Sequence, residues 1–206
     1  DYVINELGIA PEKVVRGFDM ALSHKKSDNR AGSEAIKKLG IKEGEKFLGG
    51  TVIEWIFPRS ANILKAQKEY EKKLAEVYIR TYQELGMRTL IFNQVTADLK
   101  AARRVRDMAG DFVIVDEEDR DVAIMRSMIG HSHVFLGSRL HSCIFALLEN
   151  VPTSALAYNY KTDGVMNDVG QSHRVWGIEN FEPKEILEAI RCDIKNRVTR
   201  SKEIDI

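Results

Sequence analysis

Short apolar runs alternate with amphipathic stretches along the chain from Lys46 onward. The apolar runs predict strands, and the stretches with apolar residues at helical spacing predict helices. Strands are predicted at 46–57, 88–94, 112–117, 132–138 and 153–159. Helices are predicted at 61–86, 97–110, 120–130, 140–150 and 183–198, with a further short helix at 163–170. This alternation predicts a doubly wound α/β fold, in which helices cover both faces of a parallel sheet.

The first 45 residues lack this alternation. A helix is predicted at the start, a strand with an exit loop at 13–24, and one short helix within the polar stretch 25–45. We interpret residues 1–45 as the tail of an upstream domain plus a linker, and residues 46–206 as one ligand-binding domain. Because Asp1 falls inside a predicted helix, we expect further residues upstream.

Polar and charged residues gather where two neighbouring predicted strands end. The stretch GSRLH follows one strand, and YNYK follows the next. Ligands of doubly wound sheets bind at the carboxyl ends of the strands, near the point where the strand order reverses. The candidate site residues are therefore Ser138, Arg139, His141, Tyr158 and Lys161.

Arg139 and His141 allow two interpretations from the residues alone. In the first they form an anion site: a helix N-terminus supplies free N–H groups, Arg139 supplies a planar fork for phosphate or carboxylate, and His141 exchanges a proton near neutral pH. In the second, Arg139 forms a salt bridge with a neighbour and His141 caps a carbonyl. Lys161 is a common type of surface residue, but its predicted position one strand from Arg139 makes it a candidate anion ligand.

Composition narrows the functional classes. Apolar residues make up 44% of the chain, which is enough for a substantial core. Lys and Arg together number 31, as do Asp and Glu, and this balance argues against a general nucleic-acid binder. No run is long enough to span a membrane and no signal peptide is present, so a cytoplasmic protein is expected. Cys143 and Cys192 are expected to be buried or half-buried free thiols rather than a disulfide.

Several familiar motifs are missing from the sequence. It contains no Gly-x-x-x-x-Gly-Lys-Ser/Thr, no Gly-x-Gly-x-x-Gly and no paired Cys-x-x-Cys. A Walker nucleotidase, a classical dinucleotide enzyme and a structural zinc site are therefore disfavoured. His131 and His133 lie two residues apart and could bind a metal, although polarity at a turn is the commoner role of such a pair. We expect neither a metal nor a cofactor.

The stretch from Gly137 to Gly170 resembles the signature region of the polysaccharide pyruvyltransferase family. That family has Gly-x-Arg-Leu-His at a strand end, then a helix of the type xxIFALxxxVP, an apolar strand, a segment with Tyr and Lys, and a later Gly. The segments YVINELGI and KVVRGFDMAL also resemble the stretch that joins the two halves of the family. Many relatives have an arginine where this chain has Glu54, and an aspartate where it has His131 to His133.

The resemblance implies the carboxy-terminal, Rossmann-like half of a two-domain fold of the glycosyltransferase-B type. It also implies transfer of pyruvate from phosphoenolpyruvate to two hydroxyls of a sugar, which forms a cyclic ketal and releases phosphate. In this scheme Ser138, Arg139, Tyr158 and Lys161 bind substrate, while His141 and Arg139 are catalytic. The acceptor would be a polysaccharide or its precursor, free or lipid-linked. The enzyme would then lie in the cytoplasm or at the inner face of the membrane, as a monomer or a homo-oligomer.

Two alternatives remain open from the sequence. One is a glycosyltransferase or sugar epimerase of the same architecture that uses a nucleotide-sugar. Such enzymes commonly hold the ribose with an acidic residue, and Glu149, at the end of the helix after Arg139, is the candidate. The other is a sugar-binding or assembly module without catalytic activity, which the departure at Glu54 would allow.

Overall fold

The computed structural model describes residues 2–15, 17–23 and 29–204. Within those ranges six strands form one parallel sheet in the order β3-β2-β1-β4-β5-β6. The strands are β1 (Phe47–Thr51), β2 (Arg88–Ile91), β3 (Val113–Val115), β4 (Val134–Gly137), β5 (Thr153–Ala157) and β6 (Val175–Gly177). The α-helices are α1 (Tyr2–Asn5), α2 (Asn29–Lys38), α3 (Ile63–Leu85), α4 (Leu99–Ala109), α5 (Val122–Gly130), α6 (Leu140–Leu148), α7 (Tyr160–Asp168), α8 (Pro183–Lys195) and α9 (Arg197–Glu203). The predicted doubly wound α/β class is confirmed, and the strand order reverses between β1 and β4.

Local signals in the sequence set the limits of the longest helix, α3. The side chain of Asn62 accepts a hydrogen bond from the N–H of Lys65 at 2.9 Å, which satisfies a free donor of the first turn. Gly86 ends the helix in the left-handed conformation, with a φ of 66°. This glycine is the last residue of the helix predicted at 61–86, and the prediction of that helix is confirmed.

Two expectations about strands differ from the structure. The strand predicted at 46–57 pairs only over Phe47–Thr51, because its neighbours β2 and β4 end at the same level, and residues 52–57 continue unpaired above the sheet. The strand predicted at 13–24 is wrong for the part that the structure describes. A 3₁₀ turn ends at Lys13 and another covers Met20–Ser23, and within the described residues this segment pairs with no strand of the sheet; Val15 is 90% exposed. Arg16 and His24 lie outside the described residues.

Helices cover both faces of the sheet. Helices α3, α4 and α8 pack on one face, where Leu74 and Ile186 are fully buried. Helices α2, α5 and α6 pack on the other face around Met128. Full burial of such a side chain contributes about 1.5–3 kcal/mol. These two cores hold the strand ends, and the loops that follow them, in a fixed arrangement.

Helix α2, from the polar segment 25–45, packs closely on α5. A Cβ added to Gly32 would lie 2.6 Å from the carbonyl carbon of Ser127, so the two helices approach each other at a position that excludes any side chain. Ala35 and Ile36 of the same helix join the core. An upstream domain stays a prediction.

The two cysteines are both free thiols, as expected. Cys143 is buried in α6, and burial raises the pKa of its thiol to about 12. Cys192, expected to be buried or half-buried, is instead exposed. It lies on the outer side of α8, whose other side packs on the sheet through Ile186 and Ile190. Separately, no helix in the described part of the chain combines the length and the apolar character needed to cross a membrane.

Candidate active site

An ion pair joins two loops at the carboxyl edge of the sheet. Asp98 follows β2 and Arg139 follows β4, and β1 lies between those strands. The Arg139 Nε donates to Asp98 Oδ2 at 2.7 Å, and Arg139 Nη2 donates to Asp98 Oδ1 at 2.8 Å. The same Oδ1 accepts from the backbone N–H of Glu54, in the loop after β1, at 2.9 Å. Asp98 therefore connects three loops across the point where the strand order reverses.

Arg139 is held by one edge of its guanidinium. Its side chain is 23% exposed, whereas that of Asp98 is 7% exposed. Burial alone would lower the pKa of Arg139, but the hydrogen bonds and charge of Asp98, with a contribution from Tyr158, raise it, so the cation is always charged. The pair with Asp98 uses Nε and Nη2. Because a guanidinium has five N–H donors, this pair leaves others for Tyr158, which contributes a side-chain hydrogen bond, and for a ligand.

Asp98 was not singled out in the sequence. It is the second residue of the helix predicted at 97–110, where an acidic residue is common because it favours the first turn. In the structure its side chain makes no capping hydrogen bond, and it points towards Arg139 instead. The sequence signal is an acidic residue at the helix start that follows β2, and this signal becomes informative only when the strand order is known.

Two hydroxyls, those of Thr51 and Ser142, fix the turn that carries Arg139. Thr51 Oγ1, at the end of β1, accepts from the backbone N–H groups of Ser138 and Arg139 at 3.0 and 3.2 Å. It also lies 3.0 Å from the Ser142 hydroxyl, which donates to the Arg139 carbonyl at 2.7 Å. These contacts hold Arg139 at the N-cap position of α6.

Ser138 is buried, and its hydroxyl lies 2.9 Å from that of Tyr70. Burial raises the pKa of Tyr70 well above its usual value, so the phenol keeps its proton. The role of Ser138 as a direct substrate ligand stays a prediction. Its hydrogen bond with Tyr70 holds the end of β4 against α3.

In the described part of the chain, two backbone N–H groups in the first turn of α6 are not used in hydrogen bonds. The N–H of Ser142 donates to the Gln94 side chain at 3.1 Å. Among the residues that the structure describes, the backbone N–H groups of Leu140 and His141 have no hydrogen-bond partner. Free N–H groups at a helix N-terminus attract anions, and they lie next to the Arg139 cation.

His141 and Lys161 lie at the margin of this cluster. The His141 side chain is 54% exposed, and its Nε2 is 3.8 Å from Asp19 Oδ2, in the segment that precedes α2. Lys161 is exposed in the first turn of α7, where its backbone N–H donates to Asn159 Oδ1 at 3.0 Å. Its ammonium makes no hydrogen bond or ion pair within the described ranges. The structure thus brings Arg139 and Tyr158 into contact and leaves His141 and Lys161 open to solvent.

Tyr158 and Trp55 form an aromatic wall beside Arg139. Their ring centroids are 4.5 Å apart, with the planes tilted by 50°. Both side chains are half-buried. Trp55 is held in place through its backbone N–H, which donates to Gln67 at 3.0 Å. Trp55 was missed in the sequence because it belonged to a predicted strand.

Glu54 lies in an ion-pair network. Its carboxylate accepts from Arg104 Nη2 at 2.7 Å, and the same nitrogen donates to the buried Glu71 at 2.6 Å. Gln67 also donates to Glu71, at 2.6 Å. The residue that departs from the family pattern is therefore paired with a cation of α4 and braces the loop that carries Trp55.

The remaining candidates lie at the opposite, amino edge of the sheet. Glu149 pairs with the buried Arg126 at 2.7 Å, at the far end of α6 from Arg139, so it does not support a ribose site. His131 Nε2 lies 3.1 Å from the carbonyl of Asn29. In residues 2–15, 17–23 and 29–204, no group of three or more His, Cys, Asp or Glu side chains is arranged to hold a metal ion.

Comparisons with known proteins agree on family and fold. The family model "Polysaccharide pyruvyl transferase" matches residues 1–160. The amylovoran biosynthesis protein AmsJ of Erwinia amylovora is 25% identical over 205 residues, which cover 94% of this chain and 49% of that protein. The chain thus spans about half the length of this curated relative.

Two solved structures show the same fold. A glycosyl transferase family 9 protein from Veillonella parvula superposes with a TM-score of 0.59 at 13% identity, covering 95% of this chain and 58% of that one. The trehalose-6-phosphate synthase OtsA superposes with a TM-score of 0.50 at 10% identity, covering 94% and 43%. The expected likeness to half of a glycosyltransferase-B-type fold is confirmed.

Proposed function

Because the chain belongs to the polysaccharide pyruvyl transferase family, we propose that it transfers a pyruvyl group from phosphoenolpyruvate to two hydroxyls of a saccharide. The product is a pyruvate ketal on a polysaccharide or its precursor, free or lipid-linked. The observation that carries the proposal is the guanidinium of Arg139, which Asp98 holds through Nε and Nη2 and which lies next to Tyr158 and to N–H groups of α6 that have no partner in the described chain. A cytoplasmic reaction, at the inner face of the membrane for a lipid-linked acceptor, is part of the proposal.

The donor suits this edge of the sheet. Phosphoenolpyruvate carries a phosphate and a carboxylate, and the remaining donors of Arg139 together with the N–H groups of Leu140 and His141 can bind one of them. The exposed ammonium of Lys161, one strand away, can bind the other. Asp98 prevents Arg139 from rotating, which lowers the entropy cost of binding the anion. The four contacts would orient the donor with its enol carbon accessible from solvent.

The chemistry needs one proton donor and one proton acceptor. Protonation of the methylene carbon of phosphoenolpyruvate converts it to a methyl group and leaves an oxocarbenium-like centre at the carbon that bears the phosphate. One saccharide hydroxyl attacks this carbon, and the second then displaces phosphate. Two hydroxyl protons are lost, of which one balances the carbon protonation and the other leaves with phosphate. We assign these proton transfers to His141, whose side chain is exposed and lies near the Asp19 carboxylate.

The acceptor would lie against the aromatic wall. Trp55 and Tyr158 present half-buried rings beside Arg139. Aromatic faces bury the apolar C–H surface of a sugar ring, and the hydroxyl of Tyr158 adds a polar contact. In this proposal a hydroxyl of the bound sugar lies next to the donor that Arg139 binds.

Donor binding tests the proposal directly. In isothermal titration calorimetry the protein should bind phosphoenolpyruvate, and Arg139→Lys should weaken binding by roughly ten- to a hundred-fold, because a charge-assisted contact worth about 1.5–3 kcal/mol is lost with the planar fork. Arg103→Lys is a matched control, since Arg103 makes the same two-bond contact with Glu117, at 2.7 and 3.0 Å, on the outer face of α4. Binding of uridine diphosphate without binding of phosphoenolpyruvate would instead support the nucleotide-sugar alternative.

A further inference from the structure

A cavity of about 400 Å³ lies at the amino edge of the sheet, on the opposite side from the candidate active site. It opens where the chain enters the two central strands, β1 and β4. The loop after α2, the turn after α5 and the start of α9 form its walls. We call this cavity the amino-edge pocket. Its basic residues are Lys37, Lys42, Lys46 and Arg197.

The carboxylates of the amino-edge pocket are already paired. Glu43 binds Lys37 at 2.7 Å. Glu45 binds Arg88, with nitrogen–oxygen distances of 2.7 and 3.0 Å. The ammonium groups of Lys42 and Lys46 and the guanidinium of Arg197 make no ion pair with any residue that the structure describes. The charge of Lys42 helps to lower the pKa of Glu45, so the charges of Lys46 and Arg197 are the two that no carboxylate in the described part of the chain balances.

Arg197 is the most unusual of the three cations. It is half-buried, and its Nε donates to the backbone carbonyl of His133 at 3.0 Å. Burial lowers the pKa of Arg197, because a desolvated cation without a counter-ion is unfavourable. A half-buried charge of this kind is stabilised when an anion binds beside it.

The pKa of His133 reflects the same positive environment. Burial, together with the charges of Arg197 and Lys46, lowers the pKa of His133 to about 4. The neutral ring still has one N–H group to donate. Ser132 also lines the pocket, and its buried hydroxyl has no hydrogen-bond partner within the described ranges. Uncompensated cations thus occur together with unused neutral donors.

We propose that the amino-edge pocket binds the phosphate group of a small soluble ligand between Lys42, Lys46 and Arg197. Three cations match a dianion better than a single carboxylate, and the planar fork of Arg197 matches phosphate oxygens. A volume of about 400 Å³ suits a small molecule rather than an extended surface. The proposal is independent of the proposed function, because the pocket and the Asp98–Arg139 pair lie at opposite edges of the sheet.

The titration of His133 provides a local readout. Inorganic phosphate should raise the pKa of His133, because a bound anion stabilises the protonated ring. The imidazole proton resonances in NMR spectra measure this change, and His133→Gln assigns the signal. Pyrophosphate should bind more tightly than phosphate if two phosphate groups fit between the cations. Binding of either anion at the carboxyl edge would leave the His133 resonance unchanged.

Variants decide between a site and general charge attraction. Lys46→Gln and Arg197→Gln should each weaken phosphate binding by roughly ten-fold. Lys184→Gln removes the same charge from an exposed position at the start of α8, away from the pocket, and should leave binding unchanged. Lys46→Gln keeps the proposal testable if Arg197→Gln does not fold. A His133 resonance that does not respond to millimolar phosphate, or an equal loss in Lys184→Gln, would overturn the proposal.

Discussion

Replacement of Asp98 by asparagine separates the positioning of Arg139 from its charge. The side chains have nearly the same shape. Oδ1 of the amide can still accept from Glu54 N–H and from Arg139 Nη2, which share that oxygen in the structure. The amide NH₂ group, however, replaces the oxygen that accepts from Arg139 Nε at 2.7 Å, so two donors then face each other. One charge-assisted hydrogen bond is lost and the other becomes a bond to a neutral acceptor.

The size of the effect follows from these contacts. Loss of a hydrogen bond to a charged group costs about 1.5–3 kcal/mol. Little of this is screened by solvent, because the Arg139 and Asp98 side chains are 23% and 7% exposed. For a protein of this length, 1 kcal/mol lowers Tm by about 2–4 °C, so Asp98→Asn should lower Tm by roughly 3–12 °C. If the released guanidinium no longer faces the donor, binding of phosphoenolpyruvate should weaken by about ten-fold or more.

Asp107→Asn is the matched control. Asp107 lies on the same helix, α4, is 64% exposed, and pairs only with its neighbour Arg106 at 2.9 Å among the described residues. Thermal denaturation and calorimetric titration with phosphoenolpyruvate should therefore give wild-type values for this variant. If Asp98→Asn lowers Tm but binds the donor with wild-type affinity, Asp98 is a stabilising residue alone. That result would refute the idea that it positions Arg139 for the ligand.

Three further changes test other parts of the structure. His141→Gln should leave donor binding nearly intact and lower turnover by about a hundred-fold or more, measured as phosphate release; normal turnover would remove His141 from the chemistry. Gly32→Ala should destabilise the protein by about 1–3 kcal/mol in denaturant titration, because the new Cβ meets the backbone of Ser127. The control, Gly164→Ala, adds a Cβ to a position in α7 with open space around it and should be neutral or stabilising. The pKa of His133 is lowered to about 4 in the folded protein, so as pH falls the unfolded state protonates this histidine before the folded state does. The stability of the protein should therefore fall as pH falls from about 6.5 towards 4, and it should fall less in His133→Gln. Curves of Tm against pH that run parallel for the two proteins would contradict this.

The fold was largely predictable from the sequence, because its signals are local. Helix α3 begins at an asparagine cap and ends at a left-handed glycine, and both signals can be recognised without a structure. The sixth strand, Val175–Gly177, was missed because three residues that are only partly buried give no alternation to detect. The segment before α2 was predicted to contain a strand because it is apolar, but a strand also needs a partner.

The candidate site was only half predictable. Arg139 and Tyr158 were found because strand ends are visible in the sequence, and the structure brings them into contact. Asp98 lies 41 positions from Arg139 in the chain, and its role depends on β1 lying between β2 and β4. Strand order is a property of the whole sheet. The partner of a predicted arginine therefore remained hidden until the topology was known.

Asp98 contacts the main chain of residue 54, so the side chain at that position can change without loss of the contact. Every residue except proline offers the same backbone N–H, so the contact from Glu54 N to Asp98 does not depend on which side chain stands there. A change at this position can therefore alter the pairing with Arg104 while the connection between the loops persists. An arginine at position 54 would keep this main-chain contact, whereas a proline would remove the link between the loop after the first strand and the arginine that follows the fourth.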